Sequence, residues 1–342
     1  MNKAEQLFEI ANNMVSKGKG ILAADESTPT CTSRFESIGV ESTFETRNEY
    51  RDMLMCTDGL NEYISGVIMF DETLRQSTTC DDKTPFPEYL SSRGILPGIK
   101  VDTGAKTLAG FENEKITEGL DGLRDRLNNY YKLGARFAKW RAVITIGDDM
   151  PSDACIYANA HALARYARLC QEAGLVPIVE PEVLMDGSHT IETCYEVSQR
   201  TLNVVFEQLI MQHVLLEGIV LKPNMIISAL NCNDQADINK VAELTFKCLK
   251  DNVPSDVPGI AFLSGGQSSD LASAHLNAMN KKYSNEMPWN VTFSYGRALQ
   301  QDALNAWYGS NRKKGQAALL NRAKNNSLSS KGLASDLYEN VN

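Results

Sequence analysis

Short apolar runs return along this chain of 342 residues at the spacing of one strand plus one helix. They occupy residues 21–24, 67–70, 99–101, 137–143, 176–179, 219–221, 260–263 and 291–293. Near-continuous apolar strands belong to a parallel sheet covered on both faces. The segments between them carry helix punctuation. After the fourth run, Ser152 or Asp153 can cap a helix, Leu163, Tyr166, Ala167 and Cys170 follow at i, i+3, i+4 and i+7, and Gly174 closes it. Leu202, Val205, Phe206 and Leu209 repeat the pattern, and Leu7, Ala11, Met14 and Val15 mark an extra N-terminal helix. No linker-like break interrupts residues 20–310. Eight such units predict an α/β fold, a single closed (β/α)8 barrel over residues 1–325. The runner-up is an open doubly wound sheet, which commonly uses a Gly-x-Gly-x-x-Gly turn that this chain lacks. Residues 326–342 are rich in Ser, Asn and Lys and read as a mobile tail.

A net charge of −9 argues against general affinity for nucleic acid or an anionic membrane. The first twenty residues contain acidic side chains and no long apolar core, unlike a signal peptide, and no stretch reaches membrane-spanning length. The eight cysteines contain no Cys-x-x-Cys pair and read as reduced, packed thiols, which suits a cytoplasmic protein. The four histidines are scattered without metal-ligand spacing, so no metal is expected; His275 reads as a core-edge or surface residue.

In a barrel of this kind the strand C-terminal ends build the active site. Here those ends are polar. The first run leads to Asp25, the third contains Lys100, the fourth Lys139 and Arg141, and the fifth ends at Glu180. The sixth leads to Lys222, the seventh to Ser264 and the eighth to Ser294. Lysine is rarely buried without a partner, so Lys222 at the end of an apolar strand stands out. Removed from water, an amine loses preference for its charged form and becomes a nucleophile towards carbonyl carbon. Alternation puts Lys139 and Arg141 on one strand face, and Glu180 and Glu182 on another. Repulsion from Lys139 would further favour a neutral Lys222, and the two carboxylates could move the protons that Schiff-base chemistry requires. The plainer role of Glu180 and Glu182 as ion-pair partners is compatible with that one.

Two loops suit phosphate. Ser264-Gly265-Gly266-Gln267 and Ser294-Tyr295-Gly296-Arg297 each lead into a helix. Glycine lets backbone N–H groups approach an anion, a helix N-terminus adds its dipole, and Arg297 adds a guanidinium fork. Arg34, Lys100 and Lys139 form a second cationic group that could hold another phosphate.

The segments GKGILAADEST (18–28), GIKVDTG (98–104), FAKWRAV (137–143), VPIVEPEVL (176–184), EGIVLKPNM (217–225), FLSGGQS (262–268) and TFSYGRALQ (292–300) resemble the class I fructose-bisphosphate aldolases. The similarity runs from about residue 5 to 325. It implies reversible cleavage of fructose 1,6-bisphosphate to dihydroxyacetone phosphate and glyceraldehyde 3-phosphate through a lysine Schiff base. It also implies no metal, phosphorylated sugar substrates and a cytosolic homotetramer. By motif position, Lys222 resembles the Schiff-base lysine, Glu180 the residue that moves protons during imine formation, and Asp25 the base for the C4 hydroxyl. Glu182 and Lys139 resemble electrostatic supports. Ser264, Gly265, Gly296 and Arg297 match the C1 phosphate site, beside Gly266 and Ser294. Ser27, Lys100 and Arg34 match the C6 phosphate region, near Arg141. Many members end in a tyrosine that assists proton exchange; here the only tail candidate is Tyr338, which is not terminal. Two other function classes compete: a Schiff-base aldolase or transaldolase for another sugar phosphate, and a non-catalytic barrel used as a scaffold.

Overall fold

The structure is a computed structural model, and it describes residues 2–79, 82–334 and 337–338. In chain order the elements begin with α1 (Lys3–Met14), β1 (Gly20–Ala24), α2 (Thr28–Glu36), α3 (Phe44–Met55), β2 (Ile64–Met69), α4 (Asp71–Leu74), α5 (Phe86–Ser92) and β3 (Leu96–Lys100). A small hairpin of β4 (Ala105–Thr107) and β5 (Lys115–Thr117) precedes α6 (Leu123–Lys132). Then come β6 (Phe137–Ile144), α7 (Asp153–Ala173), β7 (Val176–Val183), α8 (Ile191–Met211), β8 (Val220–Leu221) and α9 (Ile238–Asn252). The chain continues through β9 (Gly259–Phe262), α10 (Ser269–Tyr283), β10 (Asn290–Tyr295), α11 (Arg297–Trp307) and α12 (Arg312–Ser329).

The eight apolar runs are the eight barrel strands. They close in the order β1-β10-β9-β8-β7-β6-β3-β2, and every adjacent pair is parallel. Side chains alternate between the lumen and the helix layer. Ile21, Ala23, Ile68, Phe137, Val176, Ile178, Val220 and Ala261 pack together inside the lumen. Leu7, Ala11 and Met14 of α1, with its C-cap Val15, join this cluster, so the extra N-terminal helix closes the lower end of the barrel with its apolar face. The ring of Phe137 needs room, which Gly98 provides: a Cβ there would lie 2.2 Å from Phe137 Cε2. The opposite parity faces the helices. Trp140, between two lumen residues, is buried against Tyr166 of α7 with ring centroids 5.5 Å apart.

The helices end as their cap residues dictate. The Ser152 side chain accepts the Cys155 N–H at the start of α7, and Gly174 takes a left-handed conformation at its end. The chain after residue 325 departs from expectation. The helix α12 continues to Ser329, with Asn326, Ser327 and Ser329 buried. Two of its polar side chains bond internally: Ser327 Oγ donates to the Gly18 carbonyl at 2.6 Å, and Ser273 Oγ of α10 donates to Asn326 Oδ1 at 2.5 Å. A composition that suggests a tail is here a close helix contact made by small hydrogen-bonding side chains. Of the rest of the expected tail, residues 335–336 and 339–342 lie outside the described residues.

Candidate active site

The two-residue period that fills the lower lumen with apolar side chains carries charge onto the same face at the top. On β6, Phe137 leads to Lys139 and Arg141. On β7, Ile178 leads to Glu180 and Glu182, and past β8, Val220 leads to Lys222. Past β1, Ala23 leads to Asp25. The strand register sets Lys100 beside Lys139 and Arg141 beside Glu180. These side chains line a cavity of about 530 Å³ at the strand C-terminal ends, as do Ser27, Arg34, Ser264, Gly265, Gly266, Ser294, Gly296 and Arg297. Every site residue anticipated on the strand ends and their loops is therefore brought to one cavity.

At its floor lies a chain of buried charges. Glu180 stands between two lysines: Oε1 is 3.2 Å from Lys222 Nζ and Oε2 is 3.4 Å from Lys139 Nζ. Lys139 Nζ is also 2.8 Å from Asp25 Oδ2. Burial alone would push the Glu180 and Asp25 carboxyls up, but the Lys139 and Lys222 ammoniums outweigh it and hold both below the usual carboxylate range. Burial would likewise discourage charge on Lys139, but Asp25 and Glu180 make it hold its proton more tightly than an ordinary lysine. Lys139 is thus a fixed cation committed to two carboxylates. The geometry modifies the expected repulsion between Lys139 and Lys222, because Glu180 separates them and touches both. Glu182 pairs with Arg141, whose guanidinium is held protonated by that contact in spite of burial.

Lys222 follows a strand of only two residues, one fewer than the apolar run suggests. The residue left out is Ile219 at the strand's start, which caps the short 3-10 turn Leu216–Gly218. Lys222 N–H still donates to the Val179 carbonyl at 2.8 Å, while the Val183 N–H is received by Asn224 Oδ1 at 3.0 Å. Asn224 Nδ2 in turn donates to Ser198 Oγ of α8 at 3.1 Å. Buried polar bonds therefore fix the strand ends that carry Lys222 and Glu182.

The cavity has two anion-suited ends. At one, Gly265 and Gly266 have φ values of 52° and 80°, and the Gln267 N–H donates to the Ser264 carbonyl at 3.0 Å, forming a tight mirror-image turn. Gly266 has a double requirement, since a Cβ would lie 2.8 Å from Met185 Sδ. Beside this turn lies the N-terminus of α11, with Gly296 at its cap. Arg297 has no carboxylate partner among the described residues. Ser294 Oγ is buried without a hydrogen-bond partner among the described residues. At the other end lie Ser27, the N-cap of α2, and Thr30 in its first turn, with Arg34 and Lys100.

Glu26 emerges as a site residue only in the fold. Its carboxylate lies 2.5 Å from Arg34 Nη1 and 2.6 Å from the buried Arg51 Nη1, and Gln300 Nε2 donates to it at 2.8 Å. It follows the anticipated Asp25 directly, which was the available signal. Met185, Asp186 and Leu230 also line the cavity from loops without polar periodicity. Tyr338 is not among the lining residues. It is buried with Ala274 of α10 and Ala334, and its hydroxyl has no hydrogen-bond partner among the described residues. The described cysteines 31, 155, 170, 194 and 248 are buried, and Cys80 lies outside the described residues. Among the described residues, no group of His, Cys, Asp and Glu side chains is arranged to hold a metal ion, and no helix is long and apolar enough to cross a membrane.

Comparison with known proteins agrees with this geometry. The family model for glycolytic class-I fructose-bisphosphate aldolase matches residues 6–340. A probable class 1 fructose-bisphosphate aldolase of Xanthomonas axonopodis pv. citri is 57% identical over 331 residues, covering 96% of this chain and 98% of that protein. The cytosolic fructose-bisphosphate aldolase 4 of Arabidopsis thaliana is 50% identical over 329 residues, covering 96% and 83%. The fructose-bisphosphate aldolase of Plasmodium falciparum, solved in a ternary complex with TRAP and a small-molecule inhibitor, superposes with a TM-score of 0.94. It is 48% identical, with 96% of this chain and 95% of that chain covered. A parallel eight-stranded barrel with this cavity, matched over nearly its whole length, places the chain in the class-I fructose-bisphosphate aldolase family, as a carbon–carbon lyase.

Proposed function

We propose that Lys222 is the amine that captures the ketone of fructose 1,6-bisphosphate and that Glu180 and Asp25 move the protons. The overall reaction is the family's glycolytic one: reversible cleavage to dihydroxyacetone phosphate and glyceraldehyde 3-phosphate. The observation that carries the assignment is the buried series Lys222–Glu180–Lys139–Asp25 on the barrel floor. Glu180 takes a proton from the Lys222 ammonium, and the freed nitrogen attacks C2. Glu180 passes that proton, and then a second taken from the nitrogen after attack, to the C2 oxygen, which leaves as water, and an iminium remains. The C3–C4 bonding pair flows to the iminium nitrogen while Asp25 takes the C4 hydroxyl proton, so C4 becomes the aldehyde of glyceraldehyde 3-phosphate. Protonation of the enamine at C3 and hydrolysis release dihydroxyacetone phosphate and restore the amine.

Asp25 in the resting site is a weak base, because Lys139 and Lys222 oppose its protonation. The reaction removes part of that opposition itself. As the bonding pair reaches the nitrogen, the positive charge on Lys222 is quenched, and the proton affinity of Asp25 rises in the step that needs it. Glu182 and Arg141 flank this centre as an ion pair. Ser264, Gly265, Gly266, Ser294, Gly296 and Arg297 hold the C1 phosphate, and Ser27, Arg34 and Lys100 the C6 phosphate. No metal enters any step. The assembly is a cytosolic homotetramer, a reading supported by the cytosolic plant relative and by the exposed apolar pair Ile210 and Met211 at the end of α8.

The test is turnover of fructose 1,6-bisphosphate against fructose 1-phosphate in excess EDTA. Losing the charge-assisted contacts to one phosphate should cost about 10- to 100-fold in kcat/KM. Inactivation by EDTA, or equal turnover of the two sugars, would overturn the proposal.

A further inference from the structure

Behind the turn at residues 264–267 lies a histidine that the mechanism does not use. His275, on α10, is 2% exposed. Its Nδ1 lies 2.6 Å from Gln267 Oε1, and Gln267 is also buried. Gln267 Nε2 donates to the Ser264 carbonyl at 2.9 Å, the same oxygen that receives the Gln267 main-chain N–H at 3.0 Å. This arrangement settles the hydrogens. With the amide nitrogen committed to a carbonyl, the amide oxygen faces the ring, so Nδ1 must carry the proton. Nε2 is then an unprotonated nitrogen, and it has no partner among the described residues. Burial pushes the ring's pKa down to about 4, which keeps it neutral at physiological pH.

The planar trans peptide transmits this anchoring. The Ser264 carbonyl and the Gly265 N–H belong to one peptide plane and point in opposite directions. Two donors from Gln267 hold the carbonyl on one side, which fixes the direction of the Gly265 N–H. Among the described residues no main-chain carbonyl accepts the Gly265 or Gly266 N–H, and both glycines line the cavity. We infer that His275 is a positioning residue for the C1 phosphate: through Gln267 it pins the Ser264 carbonyl and keeps the Gly265 and Gly266 N–H groups available to the anion. The inference rests on the assignment of this turn to phosphate.

The test is steady-state cleavage of fructose 1,6-bisphosphate by variants. His275→Leu removes the donor and should raise KM about 5- to 20-fold, the size of one weakened hydrogen bond to a charged group, with kcat within about threefold. In His275→Asn the amide Nδ2 takes the place of Nδ1, and KM should return to within about twofold of the parent. Gln267→Met breaks the same relay from its other end, so the double variant should be no worse than the weaker single one. If His275→Leu does not fold, Gln267→Met decides the question by the same KM criterion. An unchanged KM, or an Asn variant as impaired as the Leu variant, would overturn the inference. Gly266→Ala separates the two levels: if it too leaves KM unchanged, the phosphate assignment itself fails. If it alone raises KM, only the His275 relay fails.

Discussion

Replacing Lys139 by Met removes the cation that holds two buried carboxylates. At an effective dielectric of about 20, contacts of 2.8 and 3.4 Å correspond to about 6 and 5 kcal/mol of attraction. Protonating a carboxyl costs less. From the ordinary values of 3.8 for Asp25 and 4.5 for Glu180, proton uptake at pH 7 costs about 4.4 or 3.4 kcal/mol. The variant should therefore bind a proton rather than bury an unpaired charge, and its loss of stability at pH 7 should be about 3 to 4 kcal/mol. That lies within the range found when one partner of a buried pair is removed. The pH dependence follows from the sign of each shift. In the parent, the folded carboxyls lie below their unfolded values, so their contribution is complete above about pH 5 and is lost only in acid. In the variant, one folded carboxyl lies above its unfolded value, so stability is lost as pH rises, by about 1.4 kcal/mol per unit. The gap should widen by about 2.7 kcal/mol between pH 5 and 7. Urea unfolding of both proteins at pH 5, 6 and 7 measures it. Parallel pH profiles, or a gap that closes as pH rises, would show that Lys139 does not hold these carboxyls ionised.

Glu180→Gln keeps the shape of the site but cannot accept a proton. Pre-steady-state formation of the Schiff base should slow by about 10²- to 10⁴-fold, and a smaller effect would shift the proton transfer to another group. Tyr338→Phe should leave detritiation of dihydroxyacetone phosphate within about twofold of the parent, since its hydroxyl is buried against α10 and not in the cavity. A marked slowing would mean that the tail leaves this position during turnover.

The barrel was legible because each strand carries its own signal. A run that is apolar on both faces and followed by a helical period has few other folds available. The site was legible for the same reason, since the period that puts Phe137 in the lumen also puts Lys139 and Arg141 there. What escaped depends on partners distant in sequence. Glu26 acquires its role from Arg34, Arg51 and Gln300. The end of α12 is built from Ser and Asn that meet α10 and the entrance to β1, and composition cannot distinguish such a contact from a solvated tail. From sequence His275 reads as a core-edge or surface residue, because Gln267, eight positions earlier, becomes its neighbour only when a loop folds back over a helix.

The most direct measurement is borohydride reduction in the presence of dihydroxyacetone phosphate, followed by peptide mapping. A single stable adduct on Lys222, absent from Lys222→Met, is the expected result. An adduct on Lys139 or Lys100, or none at all, would contradict the assignment of Lys222 as the nucleophile.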